Sequence, residues 1–247
     1  METRALIPIL LGATRLAGGE PAAIMHAPAH PPTSQTEVVF EERRGVVAVE
    51  AEEFFKQTLT EKRAFYVVTA QQQPKITPDA DGPHLDGASG GAYVELLPDT
   101  RGTHNDKLIT GENFTNTPGV MATLHYRVHF NTPGRYYVWC RTFSTGTEDN
   151  GVHVGIDGTW PESGRRWQTT QKNAWSWDSR QRTEQNHAGE PFLLYLDVPN
   201  AGMHEIAFSM REDGFELDKW VLARSRDFKP DGAGPAPIVH QAGEKNP

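Results

Sequence analysis

The amino-acid sequence predicts an all-β fold, a two-sheet antiparallel β-sandwich of the jelly-roll kind. Strand-like segments follow one another along the chain, and no helix-period run comes between them. The 247 residues include 23 glycines and 18 prolines, the composition of short strands joined by turns. The closing stretch 210–223 (MREDGFELDKWVLA) then reads as a charged turn running into a buried strand.

Residues 1–36 read as a leader. Residues 5–13 (ALIPILLGA) follow Arg4 and precede small residues, as in a signal peptide, whereas Glu2 and Arg15 are foreign to one. A cleaved signal and a plain leader both stay open. Residues 22–35 are rich in Pro, Ala and Ser and read as disordered. The folded part is 37–225, and 226–247, with Pro, Gly and Lys, reads as a disordered tail or linker.

Within the folded part, 46–54 (VVAVEAEEF) and 64–69 (AFYVVT) are the first strands. Residues 71–82 are polar, with Pro74 and Pro78, and read as loop. A small-residue turn at 87–91 leads into 92–97 (AYVELL). The stretch 98–119 is a long polar loop; one beyond ~12–15 residues usually carries function or covers something. In 122–130 (ATLHYRVHF), Leu124, Tyr126 and Val128 alternate with Thr123, His125 and Arg127. The turn 131–134 (NTPG) predicts a hairpin with 135–144 (RYYVWCRTFS). Strands at 152–157, 192–198, 203–210 and 215–223 complete the set.

Composition excludes several classes. The net charge is -8 with acids and bases mixed, so no basic block suits a nucleic acid. No run of ~18 apolar residues spans a membrane. Cys140 stands alone and reads as inert core. Nucleophile-elbow, zincin, Walker and dinucleotide motifs are absent from the sequence. Glycosidase chemistry needs two opposed carboxylates, and no pair stands out. None of the ten histidines is marked by spacing as a lyase base.

Three groups of residues carry chemistry. Asp218 and Glu216 point to one face of the closing strand, and Phe215 and Leu217 to the other. A carboxylate beside the apolar run Trp220–Val221–Leu222 needs a partner, a hydrogen bond or a metal. Glu50 and Glu52 share one face of an early strand, with Glu53 opposite. They are either a solvated strand face or, with Asp218 and carbonyls of the turn 86–91, a hard-cation site; calcium takes six to eight oxygens. Of the tryptophans, Trp139 and Trp220 read as core, and Trp160 and Trp167 flank a turn. Trp175 and Trp177 lie in the polar stretch 171–189, among Lys172, Asn173, Asp178, Arg180 and Arg182. They are either a platform for sugar C–H faces or anchors of the loop on the core. Side chains of 148–151 (EDNG) either cap backbone or hold hydroxyls, and His104, Asn105 and Asp106 either cap the long loop or bind a cation or a sugar; turn and cap chemistry suffices for both.

Five stretches in order resemble a known family: VEAEEF at 49–54, SGGAYVEL at 89–96, FNTPGRYYVWCR at 130–141, WSW at 175–177 and AGMHEIAFSMREDGFELDKWVL at 201–222. The chain is similar to the galactose-binding-like β-sandwiches of carbohydrate-binding module families 6 and 35. The resemblance implies a structural calcium on Glu50, Glu52 and Asp218. It implies a ligand site on loops at the sandwich end, with Trp175 and an aromatic near Tyr93. A closing-turn residue, often Asn in family 6, joins them; here that position is Glu216, a departure from the pattern. The arginines Arg141, Arg180, Arg182 and Arg211 suit an anionic polysaccharide. The expected binding residues are thus Trp175, Trp177, Tyr93, Arg141, Arg211 and Glu216. The expected function is a non-catalytic, calcium-stabilised module for a polysaccharide or oligosaccharide. Its setting would be extracellular or periplasmic, beside a catalytic partner domain. A hydrolase or lyase on the same scaffold, and a structural adhesion domain, are the alternatives.

Overall fold

The computed structural model describes residues 25–26 and 31–241. The expected signal stretch and residues 242–247 lie outside them. Among the described residues, fifteen strands build the sandwich: β1 (Val39–Glu41), β2 (Val46–Glu50), β3 (Lys56–Thr58), β4 (Ala64–Thr69), β5 (Ala92–Leu97), β6 (Thr123–Phe130), β7 (Gly134–Phe143), β8 (Gly151–Ile156), β9 (Trp167–Gln168), β10 (Ser176–Asp178), β11 (Arg180–Gln181), β12 (Glu190–Pro191), β13 (Tyr195–Val198), β14 (Gly202–Met210) and β15 (Glu216–Ala223). A further two-residue pair joins Met25–His26 to Gln72–Gln73.

One sheet runs β12-β11-β9-β8-β14-β6-β1, with β3 also on β6. The other runs β10-β7-β15-β5-β4, with β13 on β7 and β2 on β15. Pairing is antiparallel except for β1 with β6 and the Met25–His26 pair. The first strong strand therefore neighbours the last: Val49 is the partner of Trp220, and Ala51 N donates to the Asp218 carbonyl at 3.0 Å.

The core fills the space between the sheets. Alternate residues of each strand enter it: Val94 and Leu96 from β5, Leu124, Tyr126 and Val128 from β6, Tyr136, Val138 and Cys140 from β7, Leu217, Trp220 and Leu222 from β15. Trp167 is fully buried there too, and its indole donates to the Asp178 carbonyl at 3.2 Å. Burial pushes the Cys140 thiol well above its ordinary range, as suits inert core. No helix among the described residues is long and apolar enough to cross a membrane.

Three expectations are corrected. The turn 131–134 does not make a hairpin, because β6 and β7 lie in different sheets. It is a crossover, held by the buried carboxylate of Glu42, which accepts from the N–H groups of Asn131 at 3.0 Å and Thr132 at 2.8 Å. Trp139 is not in the main core. It lies half-buried on the outer face of its sheet, with Ala48, Val221, Trp177 and Phe228. The third concerns residues 226–241, which fold back. Phe228 packs on that outer face, Trp177 Nε1 donates to the Gly232 carbonyl at 3.0 Å, and Val239 bridges Phe40 at the sheet edge.

The tail thus covers apolar surface that the sheet alone would expose. Deleting 226–247 is expected to lower the Tm and to shift tryptophan emission to the red as Trp139 and Trp177 meet water. Unchanged Tm and emission would show that the tail contributes nothing to the fold.

Candidate functional site

The outer face of the β10-β7-β15-β5-β4 sheet collects the polar residues that the sequence marked. Register slips between Leu217 and Lys219, a β-bulge against β7. Such a bulge re-aims a side chain. Here it leaves Asp218 without exposure but well bonded. Its Oδ2 accepts from Arg141 Nη1 at 2.6 Å, and its Oδ1 accepts from Ser89 N at 2.6 Å. Arg141 Nη1 also donates to the Gly87 carbonyl at 3.1 Å. One buried ion pair thereby ties β15, β7 and the Ser89–Gly91 turn together.

Glu50 and Glu52 lie beside it. Glu50 Oε1 accepts from Lys219 Nζ at 2.7 Å and from Ser89 Oγ at 3.0 Å. Glu50 Oε2 and Glu52 Oε2 are buried with no hydrogen-bond partner among the described residues. Burial first, then repulsion from Glu50 and Asp218, pushes the Glu52 carboxyl up to about 8. Gly90, at φ 63, brings no side chain over this pair. Two bare carboxylate oxygens beside a small-residue turn fit a hard cation. Asp218 fits it less well, since Arg141 and Ser89 occupy both its oxygens.

The aromatic side of this face is a shelf. Trp175 meets Tyr93 edge-on at 5.2 Å and Phe143 at 5.5 Å, and its indole donates to the His84 carbonyl at 2.9 Å. Trp175 is half-buried and borders an opening of about 490 Å³ with Pro83, Asp86, Arg141 and Asn173. Of the other expected contact residues, Tyr93, Glu216, Arg141 and Trp177 are engaged by neighbouring protein groups. Tyr93 has no exposure and supports Trp175 from beneath. Glu216 is buried against His84, 2.7 Å from its Nδ1. Arg141 is committed to Asp218. Trp177 is half-buried under the tail, its indole donating to the Gly232 carbonyl and its ring packing in the outer-face cluster. The alternation of W-x-W put both rings on one face; the tail that covers one of them gave no sequence signal.

Arg211 lies elsewhere, in a cavity of about 530 Å³ between the long loop 98–119 and the insert 159–189. The loop supplies Arg101, His104, Leu108, Phe114 and Asn116; the insert supplies Gln168, Thr170, Lys172, Arg182 and His187. Arg101 pairs with Glu148, and Arg211 with Glu212, all four buried. The Nε of each arginine and Asn150 Oδ1 are buried without partners among the described residues. Lys172 and Arg182 have no carboxylate partner among the described residues. Burial and the nearby Arg211 hold the Arg182 guanidinium below its ordinary range. The Arg211 guanidinium lies 5.0 Å from the Phe114 ring centre. Sequence reasoning found Arg182 and Arg211 here but missed Arg101 and Phe114. The length of loop 98–119 was their only signal.

The expected turn chemistry holds around this cavity. Asp149 accepts from Thr145 N at 2.7 Å and from Ser144 Oγ at 2.6 Å, and Asp106 caps Thr103 N at 2.8 Å. Beneath the closing turn, Asp213 pairs with Arg63 at 2.8 Å. Burial, with Asp213 next in effect, pushes the neighbouring Asp99 carboxyl up to about 7.

No protein-family model matches the chain. It is 53% identical over 199 residues to the uncharacterised protein P23 of Formosa agariphila, covering 80% of this chain and 48% of that protein. The chain thus spans about half the length of this curated relative. Solved structures similar to it include a β-(1,4)-mannanase of Podospora anserina that carries a family 35 carbohydrate-binding module, at 15% identity and a TM-score of 0.42, covering 76% of this chain and 29% of that one. A family 35 carbohydrate-binding module of Clostridium thermocellum is similar at 16% identity and a TM-score of 0.36, covering 72% of this chain and 96% of that one.

The raised carboxyls give a test. Asp99 holds its proton in the fold to about pH 7, whereas the unfolded chain gives it up near pH ~4. Stability from that proton is full below the unfolded value and is lost as pH rises through about 7. In chelator, the Tm is expected to fall between about pH 5 and pH 8. Asp99→Asn, which cannot ionise, flattens the part near neutral pH. Identical pH profiles for both proteins would contradict the assignment.

Proposed function

We propose that the chain is a non-catalytic, cation-stabilised carbohydrate-binding module. Its ligand is a polysaccharide or oligosaccharide bearing negative groups, held in the cavity between the long loop and the insert. The lining of that cavity carries this reading: Arg101, Lys172, Arg182 and Arg211 stand against Glu148 and Glu212. Sulfate or carboxylate groups on a sugar accept charge-assisted hydrogen bonds from guanidinium groups. Phe114 offers an apolar patch for sugar C–H groups. The cavity is of ordinary size for a small-ligand site, which runs to roughly 300–1,000 Å³. The Trp175 shelf offers a second contact for a longer chain. The five family-like motifs point the same way. A location outside the cell and service to a catalytic partner domain go with this reading.

Calcium belongs to the reading as a structural ion on Glu50 and Glu52, next to Asp218. When bound there it would supply a partner to the bare oxygens Glu50 Oε2 and Glu52 Oε2 and fasten the first strand to the last. The residues themselves already hold the Ser89 turn through Asp218 and Glu50.

Affinity electrophoresis tests the ligand. Sulfated or uronate polysaccharides are expected to retard the protein, less so at high salt, while neutral ones do not. Arg182→Ala is expected to weaken binding by roughly tenfold or more, the loss of a charge-assisted bond. Binding to neutral glycans alone, or full binding by Arg182→Ala, would remove this site. Release of products from any of these polysaccharides would establish the enzyme reading instead.

Thermal melts test the cation. Calcium is expected to raise the Tm relative to chelator, because an ion bound to the native state alone stabilises it. Glu52→Gln is expected to reduce that gain. Equal gains in both proteins would place no ion on Glu52.

A further inference from the structure

A second place on the same sheet face gathers carboxylates, and it has no Arg or Lys to match them. Glu95 of β5 and Glu216 of β15 are direct register partners, 5% and 3% exposed. Like charges directly opposed on adjacent strands repel. The loop before β5 adds Asp79, Asp81 and His84. Ligand atoms of Asp81, His84 and Glu216 lie within 4.8 Å of one another, and so do those of Asp79, Asp81 and Glu95. Asp81 belongs to both groups.

Three other buried or half-buried carboxylates on this side of the molecule have a cation built against them: Asp218 has Arg141, Glu50 has Lys219 and Asp213 has Arg63. Among the described residues no Arg or Lys pairs with Asp79, Asp81, Glu95 or Glu216. Only the imidazole of His84 touches Glu216, through Oε1 at 2.7 Å. Glu216 Oε2 is buried with no hydrogen-bond partner among the described residues, and so is Asp79 Oδ1. A bare buried carboxylate oxygen is costly, and two in one cluster call for a ligand.

The cluster is also preformed. The His84 ring stacks on Phe143 at 3.8 Å, His84 N donates to the Tyr93 hydroxyl at 3.1 Å, and its carbonyl accepts from Trp175 Nε1 at 2.9 Å. Asp79, Asp81 and His84 are half-buried, so an ion can enter from the loop side.

We propose that Asp79, Asp81, Glu95 and Glu216, with His84, form a divalent-cation site separate from Glu50 and Glu52. Carboxylate oxygens with one imidazole suit calcium or manganese. The ion would pin the loop at 79–84 to the sheet beneath Trp175. This assignment does not rest on the carbohydrate reading.

Ion counting tests it on the full chain. Protein stripped with chelator and desalted is dialysed against calcium or against manganese, and bound metal per chain is measured by elemental analysis. Asp81→Asn, which alters both groups, is expected to lose one ion per chain, or to bind it roughly tenfold or more weakly. Glu52→Gln is expected to keep that ion. Near-UV circular dichroism checks that Asp81→Asn is folded, and Asp79→Asn replaces it if it is not. The same ion count in wild type and in the folded Asp variant, or no bound metal in wild type, would overturn the proposal and leave protons as the compensating charge.

Discussion

Asp218 is a carboxylate with no exposure, and the outer face of its sheet is arranged around that constraint. Arg141 and Ser89 satisfy its two oxygens. Removing the guanidinium would leave a buried charge alone, at a cost of about 3–5 kcal/mol. The bond therefore fixes where β7 and the Ser89–Gly91 turn meet β15. That turn leads directly into β5, which carries Tyr93 and Glu95. The positions of Trp175, His84 and Glu216 follow, because each bonds or packs onto this set.

Net charge hides a division within the chain. The sheet face gathers Glu50, Glu52, Asp79, Asp81, Glu95, Glu216 and Asp218 against Arg141, Lys219 and a histidine. The cavity gathers Arg101, Lys172, Arg182 and Arg211 against two glutamates. A total of -8 averages over both. Local surplus, and not the total, sets what each region can bind. The first has a surplus of carboxylates that protons or cations would offset; the second has a surplus of cationic side chains that an anion would offset.

The fold was legible where one face of a strand is polar. β6 alternates cleanly, and grouping Asp218 with Glu50 and Glu52 required the first and last strands to be neighbours, as they are. Trp139 was misplaced because β7 is apolar at both parities from Tyr136 to Cys140, so alternation cannot say which face enters the core. The crossover at 131–134 looked like a hairpin because NTPG suits either, and Glu42, which holds it, gave no local signal. Two-residue strands such as Arg180–Gln181 lie below any periodicity. The Asp79, Asp81, Glu95 and Glu216 cluster was missed for a similar reason. Asp79 and Asp81 sat in what read as solvated loop, and Glu95 was a single acid in an apolar run. That single acid was the available clue, since AYVELL is buried throughout.

The insert joins the two regions through one strip of backbone. Lys172 lines the cavity and Trp175 caps the sheet face. Between them Asn173 N donates to the Ser144 carbonyl at 2.8 Å, which fixes the strip to the end of β7. A cation held beneath Trp175 would act on one end of this strip, and an anionic sugar drawn to Lys172 and Arg182 would act on the other. Any coupling between the two would run through the backbone that Asn173 fixes to Ser144. Linkage requires the effect to be reciprocal: whatever factor a cation adds to glycan affinity, the glycan adds to cation affinity.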